Sequence, residues 1–461
     1  MAVPFNVNVL DHHRVSPPPD SVMPPISLPL TYFDIPWLSY SPNRTLFFYQ
    51  MPPPKTTTTT TILITLLKQS LSLSLHHFYP LAGNLSIPLP PAEPLMVYTE
   101  GDSVSFTVAE SNTSIHHLSG NHPRTISKLS SLLPQLPSPI ISRGCHMPLT
   151  LPLLAIQVTV FDDSGFTVGV TSQHVAADER TLYEFMNCWA SFCKYLMNKE
   201  SFVKFKFTPW FDRSVILDPI SLKATLLKQW WNRANPYKDP QQETEHNMVQ
   251  STFFLSSSDI NKIKHHIVDK CKIVNEDPPL NLSLYETGVA YVWICLLKVE
   301  EPHDAKTGPI YLGYNASGIS RLKYEIPLSY FGCCIVFGRV GALESDLLHE
   351  DGLVCATKSF DIEIDRLVRD FLEGSERWIS EWDELNVRVI GSPKVDFYRI
   401  DFGWGKAEKI EKLPGDDHGR VNVISLNGGR DLNGGLEIGM VLPEDKMTAF
   451  TSLFNSGLKE L

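Results

Sequence analysis

The stretch Phe166-Thr167-Val168-Gly169-Val170-Thr171-Ser172-Gln173-His174-Val175-Ala176-Ala177-Asp178-Glu179-Arg180 changes its hydrophobic period part-way along. Its first seven residues alternate and are rich in β-branched side chains, the pattern of a strand. Downstream, Leu182, Phe185, Met186, Trp189 and Phe192 recur at spacings of three and four, one face of a helix. Upstream, the apolar run from Leu153 to Phe161 and the turn residues Asp162-Asp163-Ser164-Gly165 complete a hairpin. His174 therefore falls where a strand stops and a helix starts. Rigid backbone holds a side chain there while its ring faces a cleft, which suits an imidazole base.

The His-x-x-x-Asp spacing does not decide this alone. With 15 histidines in the chain, on the order of one such match arises by chance. A second copy exists, His265 to Asp269, but it sits in the pattern of a capped, Lys-rich surface helix beginning near Ser258-Asp259. Context separates the two copies.

A chain of 461 residues is long enough for two or three domains, each with its own core. Its net charge of −11, without a basic stripe, argues against general nucleic-acid binding. No apolar run reaches transmembrane length. The start, Met1 to Leu10, lacks the basic and apolar regions of a secretory signal and reads as a first strand. The eight cysteines show no Cys-x-x-Cys or zinc spacing, so no metal is expected, and they fit reduced core thiols of a cytoplasmic protein.

Pro17 to Pro19 and Pro52 to Pro54 punctuate the N-terminal region, and Thr56 to Thr61 read as a solvated lead-in to a helix from Ile62 to Leu71. Residues 1–199 then form one candidate domain. Residues 200–248, polar and broken by prolines, read as a crossover linker, most loop-like from Lys238 to Glu243. Residues 249–461 form the second domain, opening with a strand from Met248 to Leu255. It closes with strands near Val421 to Leu426 and Gly435 to Val441 and a terminal helix. The strands and helices alternate without a strict βαβ rhythm. The expected fold class is thus α/β of the mixed α+β kind, with mixed sheets and flanking helices in two similar-sized domains.

No Gly-x-Gly-x-x-Gly, P-loop or Gly-x-Ser-x-Gly elbow is present, so hydride transfer, phosphoryl transfer and serine hydrolysis lack local support. What remains is a base without an enzyme nucleophile. Such a base deprotonates a substrate hydroxyl or amine, which then attacks an activated carbonyl such as a thioester.

Asp401-Phe402-Gly403-Trp404-Gly405, preceded by Tyr398 and lying far C-terminal to His174, resembles the signature of the plant BAHD acyl-CoA-dependent acyltransferases. Further matches are Leu28 to Asp34, Tyr79-Pro80-Leu81-Ala82-Gly83-Asn84-Leu85, Ala290-Tyr291-Val292-Trp293 and Leu436-Glu437-Ile438-Gly439-Met440, so the resemblance covers nearly the whole chain. Tyr330-Phe331-Gly332-Cys333-Cys334 is similar to the Tyr-Phe-Gly-Asn-Cys motif of the anthocyanin and flavonoid glycoside clade, which includes malonyl- and hydroxycinnamoyltransferases. Cys333 stands in place of the usual Asn, Glu179 where Gly commonly follows the motif, and Ile319 where a basic residue is common before Ser320-Arg321-Leu322.

The resemblance implies a chloramphenicol-acetyltransferase-like pair of domains with a tunnel between them. It also implies a monomer without permanent cofactor, taking acyl-CoA as co-substrate and a phenolic glycoside as acceptor, with no nucleic-acid or membrane partner. Malonyl is the favoured acyl group, hydroxycinnamoyl the other. His174 would be the general base of a direct transfer. Asp178 would be structural, at the helix start and paired with Arg321 of the second domain. Asp401, Phe402, Gly403, Trp404 and Gly405 would be structural as well. Ser392 is the candidate oxyanion donor, in a segment where family members line the acyl pocket. Arg180 is the candidate clamp for a malonyl carboxylate. Transfer to an alcohol, alkaloid or polyamine is the alternative within the family, and a catalytically silent small-molecule binder is the non-enzymatic one.

Overall fold

The structure is a computed structural model and describes residues 6–19, 24–51, 56–137, 140–141, 149–162, 165–198, 207–233, 247–300, 308–415, 421–430 and 434–461. Pro52 to Pro54, Asp163, Ser164 and Lys238 to Glu243 of the sequence reading lie outside these.

Three sheets organise the chain, the two larger ones mixed and the smallest antiparallel. The first has six strands in the order Val7–Val15, Val104–Ser111, Leu154–Phe161, Gly165–Ser172, Asn43–Gln50, Lys409–Leu413. Its centre is the hairpin read from sequence: Leu154 pairs with Ser172 and Phe161 with Gly165, antiparallel. Every residue of both strands is buried, because helices or other strands cover each face. The second sheet has seven strands in the order Ile335–Leu343, Pro309–Ser317, Val387–Ile390, Asn422–Gly428, Leu436–Pro443, Met248–Leu255, Arg124–Thr125. A smaller five-stranded sheet holds Ile26–Pro29 and Asn84–Ile87.

The two large sheets exchange strands. Lys409–Leu413, from the C-terminal half, completes the first sheet against Asn43–Gln50. Arg124–Thr125, from the N-terminal half, pairs with Met248–Leu255 in the second. The side chains that line the junction therefore come from both ends of the sequence.

The helix Glu179–Asn198 follows the hairpin and buries the stripe Leu182, Phe185, Met186, Trp189 and Phe192 against the helix Thr57–His77. Trp189 anchors that contact, its Nε1 donating to Leu67 O at 3.0 Å. Thr56 caps the helix Thr57–His77 in a reciprocal box with Thr59, so the threonine run supplies the helix's first turns rather than only a lead-in. In the second half, the helix Leu284–Leu297 is buried on all sides from Thr287 onward, as expected of a helix apolar all round.

The crossover is more ordered than its composition suggests. It contains the helix Leu222–Asn232, which buries Leu222, Leu226, Leu227 and Trp230. The decoy motif lies in the helix Ser257–Ile273, capped by Ser256 and Asp259, where Asp269 is exposed and paired with Lys272. Among the described residues no helix is long and apolar enough to cross a membrane.

Candidate active site

Strand pairing ends at Ser172, and residues 174–176 make a single 3-10 turn before the helix. This turn presents the His174 ring beside an aromatic wall. The Trp37 indole stacks on the imidazole at 3.9 Å between centroids and 8° from parallel. Tyr40 approaches edge-on at 5.9 Å. Trp37 and Tyr40 also line a narrow cavity of about 20 Å³ bordered by Ile335, Phe337, Trp378 and Trp382.

The ring is half-buried, and Nδ1 is sealed from solvent with no hydrogen-bond partner among the described residues. Burial drives the imidazole pKa down to about 4, against smaller upward contributions from its own main chain and from Asp178. His174 is therefore neutral at pH 7, with a free lone pair.

Residues 328–334 of the second half hold this turn in place. Cys333 Sγ donates to His174 O at 3.1 Å. Thr181 Oγ1 donates to Gly332 O at 3.0 Å. Arg180 donates to Leu328 O at 2.9 Å and to Tyr330 O at 2.6 Å. Asp178 is 3 % exposed and accepts two amides, Thr181 N at 2.8 Å and Cys334 N at 3.1 Å. The Thr181 bond is the one an N-cap residue makes. Gly332 has φ +126°, and a Cβ there would lie 2.5 Å from Arg213 Nη1, so this position requires glycine.

One expected pairing differs in the structure. Arg321 does not pair with Asp178; its Nη1 donates to Ser317 O at 2.8 Å, within its own turn. The cation nearest the carboxylate is Arg180, at 3.6 Å, because it starts the same helix while two amides already fill the aspartate's coordination. Arg180, the candidate clamp, holds the main-chain carbonyls of residues 328 and 330 through Nη1 and Nη2, while its Nε makes no hydrogen bond among the described residues.

Ser392 lies in a turn after the strand Val387–Ile390, its hydroxyl accepting Lys394 N at 3.2 Å. The turn packs over Lys412, whose Nζ would lie 2.4 Å from a Cβ at Gly391 and which pairs with Glu179 at 2.6 Å. Glu179 thus neutralises a buried lysine, a partnership absent from the sequence reading.

Asp401, Phe402, Gly403, Trp404 and Gly405 lie away from the histidine. Asp401 accepts the amides of Gly403 and Gly405 and pairs with Lys194 at 2.6 Å. Phe402 meets Trp189 edge-on at 4.8 Å, and Trp404 meets Phe166 at 5.6 Å. Trp189 and Lys194 are 10 and 15 residues beyond Glu179, about 15–22 Å along the helix. The segment staples helix to sheet.

Sequence reasoning missed Asp34, Trp37, Tyr40, Arg213 and Trp382. Asp34 is fully buried and accepts Thr31 N, Arg213 Nη1 at 3.1 Å and Cys333 N at 3.2 Å. Burial pushes its carboxyl pKa up, opposed by Arg213 and these amides. A second, open cavity of about 760 Å³ is lined by Ser256, Ser257, Ser258, Lys409, Arg430 and Glu437, among others. Beneath it runs a buried network: Arg124 meets Glu411 at 2.6 Å, and Lys409 meets Glu437 at 3.3 Å. Burial raises the Glu437 pKa, whereas at Glu411 Arg124 and Lys409 outweigh it.

The Transferase family model matches residues 5–456 of this chain. The chain belongs to that family, the BAHD acyltransferases. It is 34% identical over 468 residues to coumaroyl-CoA:anthocyanidin 3-O-glucoside-6''-O-coumaroyltransferase 2 of Arabidopsis thaliana, covering 98% of each chain. It is equally 34% identical over 464 residues to malonyl-coenzyme:anthocyanin 5-O-glucoside-6'''-O-malonyltransferase of Salvia splendens, covering 98% of this chain and 95% of that one. The fold matches the crystal structure of vinorine synthase with a TM-score of 0.66 at 19% identity, over 96% of both chains. The protein is an acyl-CoA-dependent acyltransferase with the mixed α/β architecture expected of the family.

Proposed function

We propose that this acyltransferase moves an acyl group from its CoA thioester to a sugar hydroxyl of a phenolic glycoside, with His174 as general base. The observation that carries the reading is the neutral, half-buried His174 ring at the edge of an aromatic cavity. Nε2 takes the proton of the acceptor hydroxyl as its oxygen attacks the thioester carbonyl. The tetrahedral intermediate expels CoA as the C–S bond breaks, and the imidazolium returns the proton to the thiolate sulfur. A base with a depressed pKa makes a strongly acidic imidazolium, which favours that return. No acyl-enzyme forms.

The rings of Trp37, Tyr40 and Trp382 touch one another, so a flat phenolic group would stack on the open side of this cluster rather than between its members. The larger cavity, with three serine hydroxyls and Arg430 at its wall, the latter paired with Glu408, is the candidate seat for the polar end of CoA. Two named relatives use coumaroyl and malonyl donors. The test is a panel of malonyl-CoA and coumaroyl-CoA against flavonoid glucosides, with products read by mass spectrometry. Acylated glucoside is expected from wild type and not from His174→Ala. Equal turnover by the variant refutes the mechanism, and acylation only of non-glycosylated alcohols refutes the acceptor class.

A further inference from the structure

We propose that Trp37 is a positioning residue that sets the plane of the His174 imidazole. The inference rests on the reading of His174 as the base, and its test separates the two.

The outer torsion of a histidine side chain is soft, so backbone placement alone does not orient the ring. A carboxylate or carbonyl commonly does so through the second ring nitrogen. Here Nδ1 meets no carboxylate and makes no well-formed hydrogen bond among the described residues, the carbonyl acting on the ring being that of His174 itself. Asp178 is unavailable for that duty because its oxygens serve the amides of Thr181 and Cys334. What meets the ring is the Trp37 face, 8° from parallel at 3.9 Å. A parallel surface at contact distance allows the ring to slide but not to turn.

The indole is itself fixed. Trp382 meets it edge-on at 5.9 Å and Tyr40 at 4.8 Å. Its Nε1 makes no hydrogen bond among the described residues, so its ring contacts define its place. Its main chain lies in the 3-10 helix Ile35–Ser39, stiffened by Pro36 and preceded by the buried anchor Asp34. Asp34 accepts Cys333 N, and Cys333 Sγ donates to His174 O. The stacking surface and the histidine main chain are thus referenced to one residue, Cys333. When His174 takes its proton, the imidazolium forms against an aromatic face that attracts it.

The test compares Trp37→Leu and Trp37→Phe in the full chain, measuring kcat, KM for both substrates, and the acid limb of kcat against pH. Leucine removes the flat face, and phenylalanine keeps a smaller one. Trp37→Leu is expected to lower kcat by about 100-fold, with the KM for acyl-CoA unchanged. Trp37→Phe is expected to stay within about tenfold of wild type, which also covers the case in which the leucine variant does not fold. The acid limb moves up in Trp37→Leu, because water reaches a ring that burial now holds at a low pKa. Asp178, Glu179 and Arg180 on the histidine's own segment, Cys333 and Cys334, Tyr40, Arg388 above the Tyr40 ring, and Arg233 at the cavity wall also bear on that limb, and all are kept in both variants. An effect confined to acceptor KM, or kcat and acid limb unchanged in folded Trp37→Leu, overturns the proposal, as does a Trp37→Phe variant that falls by more than about tenfold. If His174→Ala retains turnover, the base reading itself fails; if that variant is dead while Trp37→Leu is unaffected, only the positioning role fails.

Discussion

Replacing Asp178 tests whether the motif's carboxylate holds geometry or takes part in chemistry. In Asp178→Ala the amides of Thr181 and Cys334 lose their acceptor in a site only 3 % exposed, and Arg180 loses its carboxylate. A hydrogen bond to a charged group is worth about 1.5–3 kcal/mol. The Arg180 contact, at 3.6 Å with a guanidinium 26 % exposed, adds roughly 0–1 kcal/mol. The expected cost is about 3–5 kcal/mol, the range for removing one partner of a buried charged cluster. Asp178→Asn keeps one acceptor and turns an amino group toward the other amide, so it should lose about 2–3 kcal/mol. Released from Cys334, the turn no longer aims His174, and a shift near 1 Å lowers kcat by roughly 100-fold. Urea denaturation and steady-state kinetics read the two quantities on the same samples. Stability within about 1 kcal/mol of wild type and intact kcat in Asp178→Ala would refute the clamp role. A fully stable Asp178→Asn as inactive as His174→Ala would instead place the charge in proton transfer.

Other variants probe separate parts of the site. His174→Gln should change the pH dependence of stability as well as activity: with the folded pKa near 4 and an unfolded value of about 6.5, wild type loses stability relative to the variant as pH falls through that window. Paired denaturation curves at pH 7 and pH 5 check the sign. Arg180→Lys keeps the charge but not the fork that holds the carbonyls of residues 328 and 330, so kcat should fall by a similar factor with malonyl- and coumaroyl-CoA. A loss specific to malonyl-CoA in that assay would support the clamp. Glu411→Leu leaves Arg124 buried without its carboxylate, and thermal or urea unfolding should show a loss of about 3–5 kcal/mol. Trp382→Ala opens the aromatic cavity and should raise acceptor KM about tenfold or more with acyl-CoA KM unchanged, measured by varying each substrate in turn.

The strand, turn and helix around His174 were legible because the hydrophobic period changes from two to 3.6 within a few residues. The decoy was legible because Ser256 and Asp259 form a capping box with their own amides, a wholly local device. The strand Lys409–Leu413 was not legible. Its sequence, Lys-Ile-Glu-Lys-Leu, resembles a solvated edge, yet every residue is buried. Its charges are matched by Arg124, Glu437 and Glu179 from other parts of the chain, and no periodicity encodes such partners. The helix Leu222–Asn232 was hidden for a related reason: four buried apolar residues stand among lysines and glutamines, and the composition of the flanking segment dominated the reading.

The partner of Asp178 shows the limit most clearly. A carboxylate invites a search for a cation elsewhere in the sequence, but the groups that bind it most closely are backbone amides, which every residue except proline carries. Likewise Arg180 and Thr181 grip the carbonyls of residues 328, 330 and 332 rather than their side chains. The conformation of residues 328–334 matters more to these contacts than most of their side chains do. One position remains exacting, since Gly332 must adopt φ +126° beneath Arg213. On that basis the cysteine at 333 is compatible with the same architecture as an asparagine: its amide anchors Asp34 whatever the side chain, and its thiol supplies a donor to the histidine carbonyl. Cys333→Ala should therefore keep the Asp34 anchor and lose only the weak S–H bond, costing about 1 kcal/mol and a few-fold in kcat. Urea denaturation with kinetics checks this, and a loss as large as that of Asp178→Ala would show that the thiol, and not the main chain of this segment, holds the catalytic turn.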